Sequence, residues 1–125
     1  MIFDTNALSA VADNERGAVR LFNSAPLVAL PVIVLGEYRY GIARSRRRTE
    51  YERWLAELVG LSTVLSVDEV TSQHYAAIRL ELRPVGMVLP ANDVWIAALC
   101  RQHGLPILSR DKHFDAVPGV RRIAW

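Results

Sequence analysis

Short apolar runs alternate with longer amphipathic stretches along all 125 residues. "MIFD" reads as a strand, and "TNALSAVADNERGAVRLFNS" as one or two helices broken near Asn14–Gly17, where turn-forming residues interrupt the helical period. "LVAL" is a second strand, closed by Pro31, whose fixed φ suits the start of a helix. That helix runs from Val32 to Arg44 despite its β-branched opening. Tyr51, Trp54, Leu55, Leu58 and Leu61 then share one helical face, with Glu50, Glu52, Arg53 and Glu57 off it. "TVLSV" is a third strand, in the middle of the chain order. Val67, Val70, His74, Ile78 and Leu82 mark the face of a further helix, ended by Pro84 and Gly86. "ANDVWIAALCRQHG" is the strongest helix, with Asn92 placed to cap it and Gly104 to stop it. "PILS" is a fourth strand, and "RRIAW" adds a fifth at the edge.

Strands separated by helices imply a parallel α/β sheet with right-handed crossovers. There is no internal repeat, linker or low-complexity segment, so residues 1–125 form a single domain. In such sheets ligands bind beyond the carboxyl ends of the strands. Two acids follow strands directly: Asp4 after "MIF" and Asp111 after "PILS". Glu37 lies about one and a half turns into the helix after the second strand. Asp93 opens the strong helix, whose N-terminus carries the positive end of its dipole.

Each acid alone has a local explanation, because Asp is a favoured helix cap and turn residue. Together they are harder to explain locally. Carboxylates about 4 Å apart repel by roughly 1–4 kcal/mol in water-like to surface-like surroundings, so a shared edge calls for a cation. Oxygen donors without a His or Cys spacing pattern select Mg²⁺ or Mn²⁺ over zinc. Carboxylates around an open divalent site suit phosphoryl transfer. Thr5, Asn6, Asn92 and Ser109 stand beside the acids, where hydroxyls and amides orient carboxylates or a water.

Composition narrows the class further. The longest apolar stretch, Ala25–Gly36, is interrupted by two prolines and falls short of the about 20 residues that span a bilayer. The fold begins at Met1, so no leader is expected. One cysteine excludes an internal disulfide and suits a reducing cytoplasm. The net charge of +2 is modest, but fourteen of the fifteen basic residues are Arg, and Arg44, Arg46, Arg47 and Arg48 stand together. Arginine is the better phosphate clamp. This cluster falls between two helices, and Arg110 and Lys112 flank Asp111.

"MIFDTNAL", the Glu in "VIVLGEYRYGI", "PANDVWIAAL" and "LSRDKHFDAVPGV" resemble, in order and at matching spacing, the PIN-domain family. Within it they resemble the ribonuclease toxins of VapBC-type toxin–antitoxin pairs. The likeness spans essentially the whole chain. It implies a three-layer sandwich with a short, mostly parallel central sheet flanked by helices. It also implies a metal-dependent endoribonuclease that leaves 5′-phosphate and 3′-hydroxyl ends, is dimeric, and is inhibited by a small antitoxin. Carried over residue by residue, the four-acid site falls on Asp4, Glu37, Asp93 and Asp111, with Asn6 and Ser109 in support. Asp4, Asp93 and Asp111 would hold Mg²⁺ or Mn²⁺, Glu37 would help bind metal or orient the attacking water, and Arg110 and Lys112 would meet RNA. Asp115 reads as structural.

Other residues carry less. Cys100 reads as a buried small hydrophobe, and a Cys100–His103 nucleophile pair lacks an orienting third group. His74 fits a core or interface position, and His113 lies close to the site. Trp54, Trp95 and Trp125 suit packing or a dimer interface. A PIN-fold binding module with weak or no nuclease activity keeps the same acids. A phospho-acceptor receiver domain would instead need its acid after a middle strand. Here "TVLSV" runs into Asp68, which a helix cap explains.

Overall fold

A computed structural model describes all 125 residues. Five short strands form one sheet in the order β3-β2-β1-β4-β5, and all four strand pairs are parallel. The strands are β1 (Ile2–Phe3), β2 (Ala29–Pro31), β3 (Thr63–Leu65), β4 (Ile107–Leu108) and β5 (Arg122–Ile123). The helices are α1 (Thr5–Ala12), α2 (Arg16–Ser24), α3 (Val32–Ile42), α4 (Arg48–Gly60), α5 (Glu69–Leu82) and α6 (Ala91–His103). One 3₁₀ turn covers Lys112–Ala116. No helix is long and apolar enough to cross a membrane.

Connections run from β1 to β2 to β3 on one side, then cross to β4 on the other. The strand order therefore reverses between β1 and β4, and that switch point opens a crevice at the strands' carboxyl ends. Ile2, Phe3, Leu30, Ile107 and Leu108 are completely buried, so the centre of the sheet is core on both faces.

The expected break after the first helix falls at Asp13–Glu15, with Asn14 in the left-handed region at φ 57°. Gly104 stops α6 at φ 64°, a conformation that costs glycine nothing. The Arg44–Arg48 cluster joins α3 to α4 and leads into the first residue of α4.

Several expectations are corrected. "TVLSV" pairs only over Thr63–Leu65, and β3 is an edge strand; the middle strand is β1, which ends at Asp4. Asp68 is the helix cap the sequence implies, accepting from the Thr71 amide at 3.0 Å in a reciprocal capping box. That box turns Thr71 inward, so α5 buries Thr71, Ile78 and Leu82 and leaves Val67 and Val70 exposed. Leu61 lies beyond the last turn of α4 as its C-cap and is exposed. Asn92 does not cap α6. Pro90 holds the N-cap position, its carbonyl accepts from the Val94 amide at 3.1 Å, and Asn92 is exposed within the first turn.

Candidate active site

Asp4 is a helix cap placed at the sheet's switch point. It leaves β1 in extended conformation, and its Oδ1 accepts from the Ala7 amide at 2.7 Å, starting α1. The side chain is nevertheless buried at the switch point. Burial raises its carboxyl above the ordinary range. The Ser109 side chain and the amides of Ala7 and Asn6 oppose that rise, and the charge of Asp111 adds to it.

Beyond β4, Ser109 is fully buried, and its Oγ accepts from the Asp111 amide at 2.9 Å. Asp111 in turn caps the 3₁₀ turn, its Oδ1 accepting from the His113 amide at 2.9 Å. Ser109 thus bears on both strand-end acids, fixing the loop that carries Asp111 and lowering the Asp4 carboxyl.

Asp93 sits in the first turn of α6, half-buried. Its carboxyl is pushed up to about 6, first by burial, then by the charges of Asp111 and Glu37, with a smaller contribution from Asp4; His113 opposes them. The other three predicted acids therefore all act on Asp93. The tightest cluster is narrower: ligand atoms of Asp93, Asp111 and His113 all lie within 4.8 Å of one another. His113 Nδ1 is 3.2 Å from Asp111 Oδ1.

The sequence places His113 close to the site, and the structure sets its imidazole within the cluster itself. Its place two residues after Asp111 was the available signal, because the capping turn at Asp111 folds the chain back on itself. Glu37 is exposed on α3 and reaches the site through its charge. Asn6 is exposed and lines a cleft beside Arg110 and Trp125.

Arg110 forms an ion pair with Glu15, and its guanidinium lies 4.4 Å from the Trp125 ring centroid. Lys112 is exposed and takes part in no ion pair. Asp115 is structural as expected, bound to Arg122 at 2.8 Å, while Arg122 also donates to the Ser109 carbonyl. Cys100 is buried, and burial pushes its thiol up to about 12, so it is no nucleophile.

The donor set fits a divalent cation. Carboxylates from three separate elements sit close enough to raise Asp93, no Arg or Lys is paired with Asp4, Asp93 or Asp111, and an imidazole adjoins them. A parallel sheet with acids gathered at its switch point defines an α/β class whose strand ends carry oxygen donors that could hold a divalent cation.

The PIN domain family matches residues 1–120, and the chain belongs to that family. It is 34% identical over 99 residues to Ribonuclease VapC4 of Mycobacterium tuberculosis, covering 74% of this chain and 72% of that one. It is 30% identical over 130 residues to the tRNA(fMet)-specific endonuclease VapC of Shigella flexneri, covering 99% and 96%. The structure of VapBC2 from Rickettsia felis, bound to a DNA fragment from its promoter, superimposes with a TM-score of 0.85 at 20% identity. That match covers 100% of this chain and 99% of the other, and it shares the fold.

Proposed function

We propose that the protein is a metal-dependent endoribonuclease toxin, using Mg²⁺ or Mn²⁺, held in check by a small cognate antitoxin and acting in the cytoplasm as a homodimer. The observation that carries the reading is the meeting of Asp93, Asp111 and His113 within 4.8 Å, beside Asp4, at the sheet's switch point. Relatives named as ribonucleases support RNA as the substrate.

Asp4, Asp93 and Asp111 would hold the ion, with His113 as a further donor. When bound, such a cation stabilises developing charge on a phosphoryl oxygen and makes water a better nucleophile. The protein's own groups do the rest. Glu37, exposed and near Asp93, offers a carboxylate to orient the attacking water and accept its proton. Ser109 keeps Asp4 and Asp111 in place, and Asn6 borders the approach. Lys112 meets the phosphate. Arg110 can join it, because its partly exposed pair with Glu15 is worth only about 0–1 kcal/mol and exchanges readily for a phosphate.

The test is RNA cleavage with Mg²⁺, with Mn²⁺ and with EDTA, alongside an Asp4→Asn variant purified identically. Metal-dependent cutting that the variant lacks is the expected result. Equal cutting by both proteins, or none on any RNA offered, would overturn the reading in favour of a binding module.

A further inference from the structure

Arg122 has no part in this chemistry, yet it holds both ends of the segment that supplies it. It stands on β5, in register with Ile107 of β4, and its side chain is only 15% exposed. Its guanidinium uses three nitrogens. Nε and one Nη donate side by side to the two Asp115 carboxylate oxygens, both at 2.8 Å. The other Nη donates to the Ser109 carbonyl at 3.1 Å.

Ser109 and Asp115 bracket one loop. The chain leaves β4 at Ser109, turns at Asp111 and runs through the 3₁₀ turn Lys112–Ala116. Asp111 and His113, two of the three clustered donors, lie between the bridged ends. Within the loop the Asp111 amide donates to Ser109 Oγ, and the His113 amide donates to Asp111 Oδ1, both at 2.9 Å. Phe114 anchors the turn in the core. Apolar burial is non-directional, so that anchor alone does not fix how the turn is rotated. A guanidinium bonded to both ends does, because its N–H groups form a rigid planar fork.

Charge does not explain the contact. Arg122 is near enough to Asp111 for the two to attract. It nevertheless bonds Ser109 and Asp115, and leaves the Asp111 carboxylate without an arginine or lysine partner. It also has the sign of a cation, so by charge alone it would weaken metal binding. As an ion pair it adds little to stability, because Asp115 is half-exposed. What the contact supplies is geometry.

We propose that Arg122 and Asp115 are positioning residues, a clasp that holds Asp111 and His113 in place for the divalent cation. The proposal rests on the metal-dependent reading of the site. A loop closed at both ends has few conformations to lose when the ion binds, so the clasp raises affinity by pre-organising the donors. It does so without touching the ion.

The test uses Mn²⁺ alone as the probe, without RNA. Isothermal titration measures its binding to the whole chain. In EDTA, ¹H–¹⁵N heteronuclear NOEs of the Asp111, Lys112 and His113 amides report the order of the turn. Arg122→Lys keeps the charge but puts a point donor in place of the fork. It should weaken Mn²⁺ binding about tenfold, as loss of a group behind a metal ligand commonly does, and lower all three NOEs. Arg122→Met removes a charge of the metal's own sign and should still bind Mn²⁺ more weakly than wild type. Asp115→Asn, at the exposed end of the pair, leaves the Ser109 contact in place. It should loosen the same amides even where the Arg122 variants do not fold. A lower Tm with unchanged affinity in Arg122→Lys would reduce the pair to a structural contact. Tighter binding by Arg122→Met would reduce Arg122 to a charge. Either result would overturn the clasp, as would amides that stay rigid in both Arg122→Lys and Asp115→Asn. Wild-type protein that takes up no Mn²⁺ would sink the metal reading and the clasp with it; wild-type binding that Arg122→Lys leaves unchanged sinks the clasp alone.

Discussion

His113 Nδ1 lies 3.2 Å from Asp111 Oδ1, and ligand atoms of both come within 4.8 Å of an Asp93 carboxylate oxygen. An imidazole among carboxylates favours later first-row cations over Mg²⁺. A native-state ligand at about 100 times its Kd stabilises by about 2.7 kcal/mol, so saturating Mn²⁺ should raise Tm by about 10 °C. Asp93→Asn should cut that rise by more than half. His113→Ala should reduce the Mn²⁺ response more than the Mg²⁺ response. Differential scanning fluorimetry with each ion checks all three, and a melting curve insensitive to metal would count against the site.

The raised Asp93 carboxyl predicts an unusual pH profile for the metal-free protein. Its folded value of about 6 exceeds its ordinary 3.8, because burial and neighbouring acids penalise the charged form. The associated stability is fully present below about pH 4 and is lost as pH rises through 6. Asp68 and Asp115 shift the opposite way and lose stability on acidification, so the Asp93 effect has to be read as a difference. Relative to wild type, Asp93→Asn should gain Tm between pH 4 and 7, by about 2–5 °C. Added Mn²⁺ should abolish the gap by favouring the charged carboxylate, and it should do so less well below pH 6, where protons compete.

Much of this arrangement was legible in the sequence because strand ends are local signals. Asp4 and Asp111 each follow an apolar run, and a parallel sheet places such positions on one edge. Asp93 was legible from the strength of α6. What the sequence hid was decided by tertiary packing. Two-residue strands carry no alternation, so nothing local showed that β1 is central and β3 peripheral. Asn92 has the right side chain for a cap, but the N-cap lies two residues earlier at Pro90. Thr71 displaced Val70 from the buried face because it bonds both Asp68 and Gln102. The meeting of His113 with Asp93 depends on how a turn and a helix come together, which no periodicity encodes.

Ser109 tests how far the acids depend on their support. It is fully buried, holds the Asp111 amide at 2.9 Å and lowers the Asp4 carboxyl. Ser109→Ala removes both contacts and leaves an amide without its partner, which costs about 1–3 kcal/mol. Tm should fall by several degrees, and the Asp4 carboxyl should rise further, visible by carbon-detected NMR titration. Ser109→Thr keeps the hydroxyl and should recover the Asp4 titration even where packing costs stability.

Asp4 separates folding from chemistry most sharply. As an N-cap it accepts from Ala7, and Asn caps a helix about as well as Asp, whereas Ala forfeits roughly 0.5–2 kcal/mol. As a site residue it must be an anion, which Asn cannot supply. Removing a buried carboxylate also relieves repulsion with Asp111 and Asp93. Asp4→Asn should therefore melt at or above wild type without metal, lose most of the metal-induced rise in Tm, and lose RNA cleavage. Asp4→Ala should lose the same activity and melt below Asp4→Asn. Retained cleavage in Asp4→Asn, at wild-type stability, would reduce Asp4 to a helix cap and leave the chemistry to Asp93, Asp111 and their neighbours.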